Sequence, residues 1–151
     1  MSRPVKPRII SFMPQNKYFI PACKLKCGQE VVILKLEELE AIRLKDIEKL
    51  TQEECALQMK VSRQTFQLII DNARKKIAYA LVQGKAISIE GGNYTFNVCK
   101  YKCKKCEYIF DKPYEKEIKK CPQCSSSELI CIDINNFCKK RCRKNKNCNF
   151  N

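Results

Sequence analysis

Hydrophobic residues recur at helical spacing through the middle of the chain, and they predict three consecutive helices. The first helix carries an apolar stripe of Leu36, Leu39, Ile42 and Ile47. Three glutamates lie near its start, where the helix dipole favours carboxylates. This pattern predicts a helix that begins near Leu36 and packs one face against the rest of the molecule.

Capping signals set the limits of the two helices that follow. Thr51 and Glu54 have the spacing of a capping box, so we expect a short second helix after Thr51. Ser62 is the expected cap of a longer third helix, and Gly84 is placed to end it. The predicted apolar face of that helix consists of Phe66, Ile69, Ile70, Ala73, Ile77, Ala80 and Leu81. Beyond it, alternating segments on either side of Gly91 and Gly92 predict a hairpin, or a strand that leads out of the helical unit.

Residues 52–71 match a helix-turn-helix motif position by position. The small residue Ala56 lies where the two helices must touch, and only a short turn fits between Met59 and Ser62. Lys60 departs from the pattern, because glycine often occupies this left-handed position. The wedge between the helices would be filled by Cys55, Met59, Val61, Phe66 and Ile69. The alternative is an ordinary helical hairpin with a solvated polar face.

If the motif binds DNA, the early turns of the third helix face the major groove. Arg63 can pair with guanine edges, and Gln64 or Gln67 with adenine. Farther along, basic side chains would hold phosphates, which position a protein without selecting a sequence. The candidate base and groove contacts are Ser62, Arg63, Gln64, Thr65, Gln67 and Asp71, and the candidate phosphate contacts are Arg74, Lys75 and Lys76.

The charge distribution favours a polyanionic partner. The chain of 151 residues carries 30 Lys and Arg against 16 Asp and Glu, a formal charge of +14. Residues 37–62 are the exception with a net charge of −3, and we expect them to face away from DNA. At the N-terminus, Arg3, Lys6 and Arg8 alternate with prolines in an extended arm that would contact a minor groove or phosphates. A solvated terminus is the alternative for the arm, and a surplus of charge for solubility is the alternative for the whole chain.

Composition argues against an enzyme. The chain contains no His and only four Gly, which excludes Cys-His and Ser-His nucleophiles, mixed Cys/His zinc fingers and glycine-rich phosphate loops. The first eight residues lack the apolar region of a secretory signal, and no apolar run approaches the roughly 18 residues that cross a membrane. We therefore expect a cytoplasmic protein without a membrane partner.

Four of the twelve cysteines form two knuckles in a C-x2-C-x14-C-x2-C arrangement: Cys103, Cys106, Cys121 and Cys124. This spacing lets four thiolates surround one metal ion tetrahedrally, as in a zinc ribbon or a rubredoxin. We expect Zn²⁺ in preference to iron, although donor softness and geometry alone do not separate the two. Three tail cysteines, Cys138, Cys142 and Cys148, are either loose thiols or a second metal site, for which Cys131 and Cys99 are the candidate fourth ligands. The same alternatives hold for Cys23 and Cys27, whereas Cys55 is expected in the core.

Several separated motifs resemble one prokaryotic family, the domain-of-unknown-function 134 family, also called uncharacterised protein family 0251. The resemblance covers about residues 1–96, and the matching segments occur in the right order. It implies a predicted DNA-binding protein whose helix-turn-helix is similar to region 4 of bacterial sigma factors. The segments are Arg3-Pro4, Lys6-Pro7-Arg8, Tyr18-Phe19, Leu39-Glu40-Ala41-Ile42-Arg43-Leu44, Ser62-Arg63-Gln64-Thr65-Phe66 and Ile89-Glu90-Gly91-Gly92-Asn93-Tyr94.

Together these observations predict a mainly α fold followed by a small β zinc ribbon. The expected divisions are a helix-turn-helix domain at 1–96, a ribbon at 97–134 and a basic tail at 135–151. The expected function is a transcriptional regulator that binds double-stranded DNA by sequence, with RNA polymerase as a further candidate partner. Two other classes stay open, an RNA- or ribosome-associated zinc-ribbon protein and a rubredoxin-like redox or metal sensor.

Overall fold

A computed structural model describes residues 5–22 and 30–132 of the chain. The chain divides into two compact units, residues 1–94 and residues 95–151. Within the described residues of the first unit, the strands are β1 (Arg8–Ile9), β2 (Tyr18–Phe19), β3 (Val31–Leu34) and β4 (Ala86–Ile89), and the helices are α1 (Leu36–Ile42), α2 (Gln52–Met59) and α3 (Arg63–Gln83). A π-helical turn, Arg43–Ile47, extends α1. The unit ends where β5 (Tyr94–Thr95) pairs with β1.

The expectation of a mainly α fold is wrong. Of the residues that the structure describes, about 34% are helical and 23% lie in strands, and these strands form three sheets. In the first unit β4 is the central strand of a sheet, antiparallel to β2 and parallel to β3. Val31 in β3 pairs with Ala86 in β4, although three helices separate these strands in the sequence. No local sequence pattern therefore predicts this sheet. Its strands are short and are stabilised by pairing between distant segments.

The glycine pair that follows β4 does not form a hairpin. After Gly91 and Gly92 the chain continues into β5, which pairs with β1 and not with β4. The hairpin alternative is therefore wrong. Both glycines have positive φ, 68° at Gly91 and 104° at Gly92.

The core of the first unit lies in the wedge between α2 and α3. Phe66, Cys55 and Met59 are fully buried there, together with Ala41 and Leu44 from the first helical segment. This confirms the predicted filling of the wedge. Two predicted inward positions are instead exposed: Ile47 in the π-helical turn and Leu81 in the last turn of α3. Both lie at helix ends, beyond the surface that the partner elements cover.

The second unit contains an antiparallel sheet of β6 (Val98–Cys103), β7 (Ile109–Pro113) and β8 (Leu129–Cys131), with β6 in the centre. Tyr101 pairs with Phe110 across β6 and β7, and their rings stack at 5.8 Å. Tyr108 stacks on the same Phe110 at 5.9 Å. The row of rings supports one face of a small sheet.

Candidate nucleic-acid interface and metal centre

The turn between α2 and α3 has the geometry that the sequence predicted. Lys60 ends α2 in the left-handed conformation with φ 55°. Ser62 then caps α3, since its Oγ accepts a hydrogen bond from the backbone N–H of Thr65 at 3.1 Å. At the start of α2, Thr51 and Glu54 form the predicted capping box. Gly84, also left-handed, ends α3.

The predicted groove contacts lie at the start of α3. Arg63, Gln64 and Asp71 are exposed, whereas Thr65 and Gln67 are half-buried. Arg63 forms an exposed ion pair with Glu53 at 3.2 Å. The side-chain amide of Gln67 donates to Asp71 Oδ1 at 2.8 Å. These bonds hold the polar side chains of α3 on one surface, and exposed pairs of this kind break at little cost when a partner binds.

The three candidate phosphate contacts differ in their surroundings. Lys75 is exposed. Arg74 is about half exposed and donates to Asp46 at 2.5 Å, an interaction that raises the pKa of Arg74 and lowers that of Asp46. Lys76 is engaged differently, because its Nζ bonds both carboxylate oxygens of Glu38.

Three glutamates that the sequence placed near the start of the first helix are buried in the structure. Glu38 accepts from the backbone N–H of Lys35 and from Lys76, and so joins α1 to α3. Glu40 accepts hydrogen bonds from Ser11 and from the Arg43 guanidinium, and this bond to Glu40 raises the pKa of Arg43. Among the described residues, the buried carboxylates are Glu37, Glu38 and Glu40. Sequence reasoning missed this role because the dipole argument explains the same three residues without burial.

The N-terminal arm is attached to the first unit from Val5 onward. Arg8 donates its backbone N–H to the Asn93 carbonyl at 2.8 Å, and the Asn93 side-chain amide donates to the Val5 carbonyl at 2.6 Å. Lys6 and Arg8 therefore have defined positions beside the turn before α3. Arg3 lies outside the described residues.

In the second unit the four predicted cysteines converge. Their Sγ atoms all lie within 4.8 Å of one another. Cys103 Sγ is 3.6 Å from Cys124 Sγ, and Cys106 Sγ is 3.7 Å from Cys121 Sγ. Four soft donors at this separation can hold one metal ion, and they suit Zn²⁺ or iron.

The two knuckles repeat one backbone design. The N–H of Cys103 donates to the carbonyl five residues later at 3.0 Å, and that of Cys121 does the same at 2.8 Å. The residue after each second cysteine, Glu107 and Ser125, is left-handed with φ 59° and 58°. Glu107 thus adopts the conformation for which glycine is usual, and the knuckle still closes.

The environment of the thiols favours a cation. Hydrogen bonds from the backbone N–H groups of Cys106 and Lys105 and from the Cys124 thiol lower the pKa of Cys103 to about 6, although burial opposes them. At Cys106 a hydrogen bond from the Tyr108 backbone lowers the pKa, but burial and the neighbouring thiols outweigh it and raise the pKa to about 12. A thiolate therefore forms readily at Cys103, whereas at Cys106 it needs a compensating positive charge.

Of the remaining eight cysteines the structure describes three: Cys99 is buried, Cys131 is half-buried, and Cys55 is the third. Cys55 is buried in the core, as predicted, and burial raises its pKa. Five others lie outside the described residues, so the second candidate site is not described: Cys23, Cys27, Cys138, Cys142 and Cys148. Across residues 5–22 and 30–132, no helix has both the length and the apolar composition to cross a bilayer.

These features define a class of protein, a mixed α and β unit built around a helix-turn-helix, followed by a small sheet with a four-cysteine cluster. Residues 1–97 match the family described as "Protein of unknown function DUF134", and the chain belongs to this family. It is 54% identical to a UPF0251 protein of Clostridium tetani over 95% of this chain and 97% of the relative. It is 56% identical to one of Clostridium novyi, over 95% and 98%. No solved structure matches the chain.

Proposed function

We propose that this protein is a sequence-specific DNA-binding regulator of transcription without catalytic activity. The observation that carries the proposal is the exposed polar surface at the start of α3, which follows a helix-turn-helix turn with a left-handed Lys60. Arg63 and Gln64 would contact base edges, and Lys75 would contact a phosphate. The surplus of positive charge supports the same partner.

In this proposal the two ends of α3 contact different parts of the DNA. The first turns would enter the major groove, while Arg74 and Lys75 would clamp the backbone farther along. Arg74 would exchange its exposed pair with Asp46 for a phosphate, because both partners are half exposed. A chain with a sigma-region-4-like motif is also a candidate partner of RNA polymerase. Such a regulator would act in the cytoplasm.

We propose that the four-cysteine cluster holds Zn²⁺ in a structural role. Cys103, Cys106, Cys121 and Cys124 would supply all four ligands, which leaves no open position for chemistry. The metal would cross-link two knuckles that are 15 residues apart from Cys106 to Cys121. The basic residues of this unit would then add phosphate contacts to those of α3.

The test is selection from a random duplex library with the purified metal-loaded protein, at about 150–200 mM salt to suppress purely electrostatic binding. An enriched motif supports sequence-specific regulation. If binding survives only at low salt and nothing is enriched, the proposal fails and general polyanion binding replaces it. A competition arm with structured RNA at the same salt distinguishes an RNA-associated protein, and a visible spectrum with iron bands would indicate a rubredoxin-like centre.

A further inference from the structure

A cavity of about 460 Å³ lies where the N-terminal arm passes the turn of the helix-turn-helix. Three cationic side chains line it: Lys6 and Arg8 from the arm, and Lys60 from the turn. Ser62 and Thr65 add hydroxyl groups, and no carboxylate is among the lining residues in the described part of the chain. Two chain segments more than 50 residues apart thus bring positive charge and donors to one open pocket.

The donors of this cavity are only partly used by the protein. The Nε of Arg8 is buried and has no hydrogen-bond partner among the described residues. Ser62 Oγ and Thr65 Oγ1 lie 2.8 Å apart and share one hydrogen bond, so one hydroxyl proton is still available to an acceptor. An anion in the cavity would accept a hydrogen bond from this hydroxyl.

The backbone conformation of Lys60 also favours an anion site in this cavity. Its φ of 55° is a conformation that glycine adopts more readily, and glycine is common at this position of the motif. Lysine at such a position is explained if its ammonium group binds an anion. Lys60 lines the cavity together with Lys6 and Arg8, where an anion would be bound.

We propose that this cavity binds one backbone phosphate of duplex DNA, held jointly by Lys6, Arg8 and Lys60. The phosphate oxygens would accept from the free hydroxyl of the Ser62 and Thr65 pair and would face the three cationic side chains. This inference rests on the proposed function and adds to it a specific phosphate site. The bound phosphate would fix the register of α3 in the groove, since Ser62 begins that helix.

The chain offers a matched pair of variants for the test. Lys49 is also exposed and left-handed, with φ 59°, but it does not line the cavity. Lys60→Gly and Lys49→Gly therefore remove the same charge and relieve the same backbone strain. Both keep the fold, because glycine suits each position. The measurement is the affinity of the metal-loaded full chain for duplex DNA as a function of salt.

We expect Lys60→Gly to lower the slope of log K against log salt by about one unit, and Lys49→Gly to leave it unchanged. Equal slopes in the two variants, with duplex binding intact, would overturn the phosphate site and leave the proposed function standing. Absence of duplex binding by the unmodified chain would overturn both.

A second arm separates a DNA phosphate from a free one. Inorganic phosphate is titrated into the chain without DNA while thermal stability is recorded. A weak, non-saturating effect that is the same in both variants supports the backbone site. Saturable stabilisation at low millimolar phosphate that disappears in Lys60→Gly, together with unchanged DNA slopes, would show a site for a free anion and overturn the proposal.

Discussion

Lys76 donates from Nζ to both carboxylate oxygens of Glu38, at 2.9 and 2.8 Å, and this pair joins α3 to α1. The side chain of Glu38 is 7% exposed and that of Lys76 is 32% exposed. The pair is thus part of the packing of the first unit. A lysine for which the sequence predicted a phosphate contact thus also pairs with a buried carboxylate.

Lys76→Met should destabilise the fold by about 1–3 kcal/mol, because it leaves a buried carboxylate without its charged partner. Urea unfolding followed by circular dichroism measures the change. The control is Lys75→Met at the neighbouring exposed position, where we expect a change within about 0.5 kcal/mol. Equal stability of the two variants would argue that the Glu38 pair contributes nothing.

Arg63→Ala should relax base preference at one position of the selected DNA site by about 1–3 kcal/mol. The exposed ion pair between Arg63 and Glu53 can break at little cost when DNA binds. The loss of base preference in the variant should therefore come from the missing DNA contact. Competition between the selected duplex and single-base variants measures it. An unchanged preference would remove Arg63 from the groove.

Lys75→Ala should weaken all duplex sequences alike and lower the salt slope by about one unit. The physical reason is that a phosphate contact carries charge and no base information. The same competition experiment checks it, because the ranking of sequences must stay the same. A change in ranking would place Lys75 at a base edge.

Gly92→Ala should destabilise the first unit more than Gly91→Ala. A Cβ at Gly92 would lie 1.8 Å from Oε2 of the buried Glu37, whereas a Cβ at Gly91 meets nothing within 4 Å. Both substitutions put alanine at positive φ, which alone costs about 1–2 kcal/mol. Urea unfolding of the two variants checks the order, and a similar loss in both would mean that Glu37 moves aside freely.

Removal of metal should unfold the second unit and spare the first. A chelator should abolish the tertiary structure around residues 99–131, while the far-ultraviolet signal of the helices in residues 36–83 persists. Cobalt titration of the stripped protein should give the visible bands of a tetrahedral four-thiolate site, and Cys106→Ser should weaken them. Simultaneous loss of helix and sheet signals would contradict the independence of the two units.

Acid should weaken the start of α2 through Glu54. Hydrogen bonds from the backbone N–H and hydroxyl of Thr51 lower the pKa of the Glu54 carboxyl. Its contribution is therefore complete above the unfolded-state pKa near 4.5 and is lost as the pH falls through the lower folded-state value. Glu54→Gln should reduce stability at pH 7 and flatten this acid-side loss. An unchanged acid slope in the variant would assign the loss to other carboxylates.

Local features were predictable because a few neighbouring residues produce them. Ser62 caps α3 through a bond to Thr65 three residues away, and Thr51 and Glu54 form their box over the same distance. The knuckles close through contacts within five residues of Cys103 and Cys121. In each case the residue types and their spacing are sufficient to specify the backbone.

The sequence by itself therefore determined the helix-turn-helix, its caps and the four-cysteine cluster, whose interactions are local or follow from repeated spacing. Only the tertiary structure decided the strand order, since β4 must meet β3 across three helices before either strand is stable. It also decided that Glu38 is buried and bonded to Lys76, 38 residues away. The cavity shared by Arg8 and Lys60 has the same origin, because its wall is made by chain segments that only folding brings together.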